Sequence, residues 1–220
     1  MIKPNYLYNS LIENGVDFFC GVPDSLLKSF CAYVFEHSSS DKHIITANEG
    51  NAIALAAGHY LATGKPGLVY MQNSGIGNAV NPLLSLVAEE VYAIPMLLVI
   101  GWRGEPGVKD EPQHIKQGRV QSSLLEAMEI PQRVIDKDTN NIEEIVKELV
   151  NLALTASKPV ALIVKKGTFE PYKLESSEKS QLMLREEALE FILDILGDTV
   201  IISTTGKTSR EIFEIREYLH

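Results

Sequence analysis

Glu49 heads the segment Glu49-Gly50-Asn51-Ala52-Ile53-Ala54-Leu55-Ala56-Ala57-Gly58, an acid in the first turn of a helix whose next two turns are almost all small residues. The helix dipole favours a carboxylate at that position on any helix, so an ordinary core helix would explain Glu49 taken alone. The run from Ala52 to Gly58 adds something else. It has so little side-chain volume that another backbone, a subunit or a flat ligand can come close. A buried acid beside such a surface is a candidate for proton transfer.

Three further segments carry groups that could do chemistry. Gly21-Val22-Pro23-Asp24-Ser25 places an acid and a hydroxyl where a helix should begin, and helix capping is their economical explanation. Asn73-Ser74-Gly75-Ile76-Gly77-Asn78 joins two glycines to three amide or hydroxyl side chains. It could turn backbone N–H groups toward a polar ligand, although tight strand-to-helix turns use the same residues. Gly101 to Gly118 reads as one long loop carrying Arg103, Lys109, His114 and Lys116, with Arg119 just beyond and Glu105, Asp110 and Glu111 to balance them. Loops of that length in compact domains are functional or disordered. The cations are either solvated charges or donors to an anion.

The elements that must position these residues alternate. Helices are expected at Pro4 to Asn14, Leu26 to Phe35, from Glu49 to the break at Gly64, Asn78 to Leu86, around Ser122 to Met128, and Asn140 to Ala156. Between them lie apolar strands at Val16 to Cys20, His43 to Thr46, Leu68 to Gln72, Met96 to Ile100, Arg133 to Ile135 and Val160 to Val164. Six strands separated by helices imply an α/β fold, a doubly wound parallel sheet with helices on both faces. In such sheets ligands bind beyond the carboxyl ends of the strands, where the four segments fall.

Residues 171–181, with Pro171 and a polar run, read as a linker after a first domain at 1–170. Beyond it, Arg185 to Leu196 is helical, Thr199 to Ile202 is strand-like, and Ser203 to Ser209 turns into a last helix. Residues 182–220 thus begin a second α/β domain with no room to finish it, so a fragment of a longer architecture is expected.

Bulk properties narrow the classes. The 220 residues are 45% hydrophobic, with a net charge of −9 that argues against nucleic acid as a partner. Cys20 and Cys31 lie in apolar contexts outside any metal-binding spacing, and both read as buried free thiols of a reducing cytoplasm. No signal-peptide pattern or membrane-length apolar run is present in the sequence. Gly206-Lys207-Thr208 invites a phosphate-binding-loop reading, but position 201 is Ile where that motif requires Gly.

Gly21-Val22-Pro23-Asp24-Ser25, the Glu49-x-x-Ala52-x-x-x-Ala56-x-Gly58 helix, Gln72 to Asn78, and Asp110-Glu111-Pro112-Gln113-His114 together resemble the pyrimidine-binding domain of thiamine-diphosphate-dependent 2-oxoacid decarboxylases. The resemblance covers about residues 1 to 170 and is nearest to members acting on phosphonate- or sulfonate-bearing pyruvates. Ser203 to Glu211 is similar to the start of the family's diphosphate-binding domain. The family's Gly-Asp-Gly motif and its downstream Asn, which hold the metal and diphosphate, have no counterpart in this sequence.

The resemblance implies thiamine diphosphate as cofactor, with Mg2+ ligands expected in a further C-terminal part, and a 2-oxoacid as substrate. It implies that Glu49 hydrogen-bonds a ring nitrogen of the aminopyrimidine, with Asn73, Ser74, Gly75, Gly206 and Ser209 also contacting cofactor. Asp24 becomes an active-site acid and His114 a group for substrate orientation and proton delivery. Ser25, Gln113, Arg103 and Lys109 become substrate contacts. Active sites shared between subunits make a homodimer or larger assembly the expectation. The alternative is a subunit that needs a separate diphosphate-binding chain, although such a subunit should end near residue 170.

Overall fold

The computed structural model describes residues 1–174, 183–204 and 206–219, and the chain divides into two units, Met1–Leu174 and Glu175–His220. In the first unit, strands and helices alternate as α1 (Pro4–Glu13), β1 (Phe19–Gly21), α2 (Lys28–His37), β2 (His43–Ile45), α3 (Glu49–Thr63), β3 (Gly67–Gln72), α4 (Ile76–Ser85), β4 (Met96–Gly101), α5 (Pro112–Ala127), β5 (Gln132–Ile135), α6 (Ile142–Ala156) and β6 (Pro159–Val164). Every strand pair is parallel, and the order across the sheet is β2-β1-β3-β4-β6-β5. The six-stranded, doubly wound parallel sheet is therefore present.

Side chains alternate across each strand, which divides the apolar residues into two cores. Leu68 and Tyr70 of β3, Leu97 and Val99 of β4, and Val160, Leu162 and Val164 of β6 meet α1, α2 and α6 through Leu7, Phe30 and Leu149. The intervening residues Val69, Met71, Leu98, Ile100 and Ile163 meet α3, α4 and α5 through Ile53, Ile76 and Leu125. Strands buried on both faces need near-continuous apolar runs, as β3, β4 and β6 have. Among the described residues, no helix is long and apolar enough to cross a membrane.

Several expected boundaries move. The segment read as a loop from Gly101 to Gly118 ends early, because α5 begins at Pro112. Proline at the first helical positions has its φ preset for the helix, so this residue opens α5 where it had been read as part of a loop. Gln113 and His114 consequently sit in the first helical turn. Gly118 lies inside α5 because a Cβ there would stand 1.9 Å from the Gly104 carbonyl oxygen. The helix expected from Leu26 starts at Lys28. Cys20 is buried as expected, whereas Cys31 is only partly buried.

Tyr172, which falls at the start of the expected linker, is held on the first unit. Its hydroxyl donates to a Glu36 carboxylate oxygen at 2.5 Å and its ring packs edge-on to Tyr33. Residues 175–181 of that linker lie outside the described residues.

In the second unit, α7 (Arg185–Leu196) and α8 (Lys207–Leu219) pack on each other, with Leu193 buried and Arg185 paired with Glu211. The strand expected at Thr199 to Ile202 is not formed; Val200 and Ile202 are 87% and 96% exposed. A strand needs a neighbour's ladder of N–H and C=O groups, and residues 199–202 pair with none among the described residues.

β1 approaches β3 closely at its last residue. Gly21 has φ +154°, and a Cβ there would lie 2.0 Å from the Tyr70 carbonyl oxygen. Gly21→Ala should lower stability by roughly 2–4 kcal/mol through overpacking and strain. Chemical denaturation of the 220-residue chain measures this, and an unchanged midpoint would contradict the close approach.

Candidate active site

The chain winds outward in both directions from the junction of β1 and β3, since β2 lies on one side of β1 and β3 on the other. Helices on opposite faces leave a crevice beyond the carboxyl ends of the strands at such a reversal. The segments after β1 and β3, residues 22–27 and 73–75, open into this crevice. The β4–α5 connection lies alongside, because β4 is the next strand.

Asp24 is only 5% exposed and is held on both oxygens. One accepts from Gln72 Nε2 at 2.7 Å and the other from the Leu26 backbone N–H at 2.7 Å. It therefore closes the turn before α2 instead of capping that helix, whose N-cap residue is Leu27. Ser74 Oγ donates to Gln72 Oε1 at 2.7 Å, so Asp24, Gln72 and Ser74 form one hydrogen-bonded chain across the β1–β3 junction. Gly101, the last residue of β4, completes the seat: a Cβ there would fall 2.4 Å from Asp24 Oδ2.

Glu49 opens α3 at 8% exposure, behind Asn48, whose side chain accepts from the Asn51 N–H at 3.0 Å. Asn78 Nδ2 donates to Glu49 Oε2 at 2.8 Å. Among the described residues Asn78 is the one hydrogen-bond donor to this carboxyl, and Oε1 faces the Gly75 backbone. A Cβ on Gly75 would lie 2.3 Å from Oε1. A second cradle forms where Gly50 meets Asn78 of α4, with a hypothetical Cβ 2.9 Å from the Asn78 carbonyl oxygen. The small-residue run divides in two: Ala52, Ala56 and Ala57 pack into the core, while Gly58 is exposed.

The β4–α5 connection is held by Arg103 and Asp110. Arg103 exchanges backbone-to-amide hydrogen bonds with Asn73: its N–H donates to Asn73 Oδ1 at 3.2 Å and its C=O accepts from Asn73 Nδ2 at 2.7 Å. Its guanidinium donates to both Asp110 oxygens, one of them from Nε at 2.8 Å, and from Nη1 to Ser25 Oγ at 3.1 Å. Asp110 also accepts the N–H groups of Gly104 and Glu111, each at 2.8 Å. The Arg103 hydrogen bonds, with those backbone donors, hold the Asp110 carboxyl well below its usual range despite partial burial.

Two hydrogen-bonded sets, Asp24–Gln72–Ser74 and Ser25–Arg103–Asn73, thus lie side by side through the chain neighbours Asp24–Ser25 and Asn73–Ser74, and Gly75 carries on to Glu49. His114 is half-buried, and its backbone presses on Gly104, whose φ of +69° is that of a left-handed residue. Gln113 and Lys109 are exposed. Lys109 shares a cleft of about 450 Å³ with Arg119. Gly206 and Ser209 belong to the second unit, where Ser209 Oγ donates to the Gly206 carbonyl oxygen at 2.9 Å at the start of α8. Among the described residues, no group of three or more His, Cys, Asp or Glu could hold a metal.

Two members of this arrangement, Gln72 and Asn78, had no individual role assigned from sequence, and Asp110 was read there as one of three acids balancing the loop cations. Gln72 had a usable signal, a polar residue ending an otherwise apolar strand. Asn78 had none and Asp110 had only its charge, since their particular partners lie 29 and 7 residues away and are fixed by the fold.

The family model described as thiamine pyrophosphate enzyme, N-terminal TPP binding domain, matches residues 4–127. The chain belongs to this family. It is 31% identical to phosphonopyruvate decarboxylase of Streptomyces viridochromogenes over 98% of this chain and 57% of that protein. It is 37% identical to sulfopyruvate decarboxylase subunit alpha of Methanocaldococcus jannaschii over 71% of this chain and 89% of that subunit. The fold is also that of the thiamine diphosphate-dependent 4-hydroxybenzoylformate decarboxylase of Rhodococcus jostii RHA1. The TM-score is 0.54 at 20% identity, over 88% of this chain and 37% of that one. The chain spans 57% of the length of the phosphonopyruvate decarboxylases it matches.

Because folding lowers the Asp110 proton affinity, its contribution to stability is complete above the ordinary value of 3.8 and is lost as pH falls toward the depressed folded value. Asp110→Asn should therefore be clearly less stable than the parent near about pH 6, with the gap closing below about pH 4. Denaturant titrations across that range test the sign, and a gap independent of pH would remove the pairing as its cause.

Proposed function

We propose that this chain is the pyrimidine-binding part of a thiamine-diphosphate-dependent decarboxylase that converts phosphonopyruvate to phosphonoacetaldehyde and carbon dioxide. The observation that carries the reading is the Glu49 carboxyl, desolvated, fixed on one oxygen by Asn78 and presented past a glycine on the other. This donor set fits a flat heteroaromatic group whose ring nitrogen needs one carboxyl oxygen able to share a proton.

When bound, thiamine diphosphate would supply a nucleophilic carbon for the ketone of a 2-oxoacid and a cationic ring as sink for the electron pair left behind by carbon dioxide. Glu49 Oε1 exchanges a proton with the pyrimidine ring, while Asn78 fixes the carboxyl plane. Asn73, Ser74 and Gly75 form the wall beside it. Asp24, its orientation set by Gln72 and the Leu26 N–H, faces the reacting end together with His114 and manages the proton returned to product. Ser25 and Gln113 orient substrate, and Lys109 meets its second acid. Gly206 and Ser209 are assigned to cofactor binding, and Mg2+ would accompany the diphosphate. The assembly is a cytoplasmic homodimer or larger oligomer with sites between subunits.

The 37% identity to a sulfopyruvate decarboxylase alpha subunit favours a second reading, in which the substrate carries a sulfonate and a separate chain completes the site. Both readings use the same Glu49 chemistry.

Aldehyde production by the full-length protein, with thiamine diphosphate and magnesium, separates them on phosphonopyruvate, sulfopyruvate and pyruvate. Preference for phosphonopyruvate is expected; preference for sulfopyruvate selects the second reading. Absence of cofactor-dependent decarboxylation of all three would defeat both. In the active protein, Glu49→Gln should leave fold and cofactor affinity largely intact and slow turnover by ~10²-fold or more, the scale of positioned proton transfer. Near-normal turnover would remove Glu49 from this role.

A further inference from the structure

Arg103 was expected to meet the substrate's second acid, yet its guanidinium is already committed. Its hydrogen bonds go to Asp110 in a fork and to Ser25 Oγ at 3.1 Å, and its backbone is paired in both directions with the Asn73 amide. Asp110 in turn gathers the Gly104 and Glu111 N–H groups at 2.8 Å. Three connections therefore meet at one ion pair: the β1–α2 turn through Ser25, the β3–α4 turn through Asn73, and the β4–α5 connection at both its ends, through Arg103 after β4 and Glu111 before α5.

The contacts that follow are tight. Glu111 accepts the His114 N–H at 2.9 Å, and the His114 carbonyl lies against Gly104, where a Cβ would be 1.9 Å from it. Two turns of α5 thus rest on the Arg103–Gly104 backbone, because Gly118 also meets the Gly104 carbonyl and accepts from Trp102 Nε1 at 2.9 Å. The position of His114 relative to Asp24 and Ser25 depends on the ring closed by Arg103 and Asp110. A planar fork with two parallel hydrogen bonds fixes orientation as well as distance, which a lysine ammonium cannot do.

We infer that Asp110 and Arg103 are positioning residues, a clip that sets His114 on α5 against the Asp24–Ser25 turn, and that Arg103 is not the receptor for the substrate's second acid. This rests on the decarboxylase reading for its catalytic consequence, though not for the clip itself.

Two measurements test it. In the full-length protein, Arg103→Met, Arg103→Lys and Asp110→Asn should each lower kcat by ~10²-fold on phosphonopyruvate and pyruvate alike with KM little changed, the effect of misplacing a group by about an ångström. The double variant R103M/D110N should lose no more than the worse single variant, as for two residues acting as one unit. A KM increase confined to phosphonopyruvate and largely restored by Arg103→Lys would overturn the inference, as would multiplied losses or unaltered kcat.

Hydrogen exchange on the 220-residue chain is independent of turnover. Asp110→Asn should speed exchange at the Gly104 and Glu111 amides on the order of tenfold, the loss of a hydrogen bond to a charged acceptor, with Val99 in β4 unaffected. Unaltered exchange at both amides overturns the clip. Faster exchange there in a protein that decarboxylates no 2-oxoacid would support the clip and refute the decarboxylase reading.

Discussion

Parallel pairing between β1 and β3 is the constraint on which the site depends. Parallel strands must be joined by crossovers, so the carboxyl ends of all six strands lie along one edge of the sheet. The winding reverses at β1 and β3, which places the turn bearing Asp24 beside the turn bearing Asn73 to Gly75. The join is close because Gly21 has no Cβ to hold β1 away from the Tyr70 carbonyl. A chain of two hydrogen bonds, Gln72 to Asp24 and Ser74 to Gln72, then ties the two turns together.

Around that junction the polar groups differ in how they are held. Asp24 has both oxygens engaged and Asp110 accepts four hydrogen bonds, so each is fixed in orientation. Glu49 is buried to a similar degree as Asp24, with one donor side chain on one oxygen. Burial without full satisfaction leaves a carboxyl ready to take up a partner, the condition expected of a group that exchanges protons. The contrast separates the two carboxylates whose orientation is fully fixed from the one with an oxygen left for a partner more clearly than burial alone.

Glycines supply the closeness that these contacts need. Gly75 admits Glu49, Gly101 admits Asp24, and Gly104 and Gly118 let the β4–α5 connection touch the first two turns of α5. At each position a methyl group would collide with a polar or backbone atom of the site. The crevice is therefore shaped by side chains that are missing as much as by those present.

Periodicity alone was enough for the alternation of strands and helices and the two-sided sheet, because a parallel strand buried on both faces must be an unbroken apolar run such as Leu97 to Ile100. The turns bearing Asp24, Glu49 and Asn73 to Gly75 were legible for the same reason, being the breaks between such runs. Hydrogen-bond partners were not legible. Whether Asp24 caps a helix or pairs with Gln72, and whether Arg103 faces an anion or Asp110, depends on residues brought together only when β1, β3 and β4 align. The start of α5 was missed because Pro112 and Gly118 are read locally as helix breakers, while in the fold one opens the helix and the other packs on Gly104. The strand expected near Val200 failed for the converse reason: local β propensity makes no strand without a neighbouring ladder. Composition and spacing set which elements form; the crevice and its pairings come from tertiary contacts, because an ion pair or a hydrogen bond between distant residues has no sequence period to announce it.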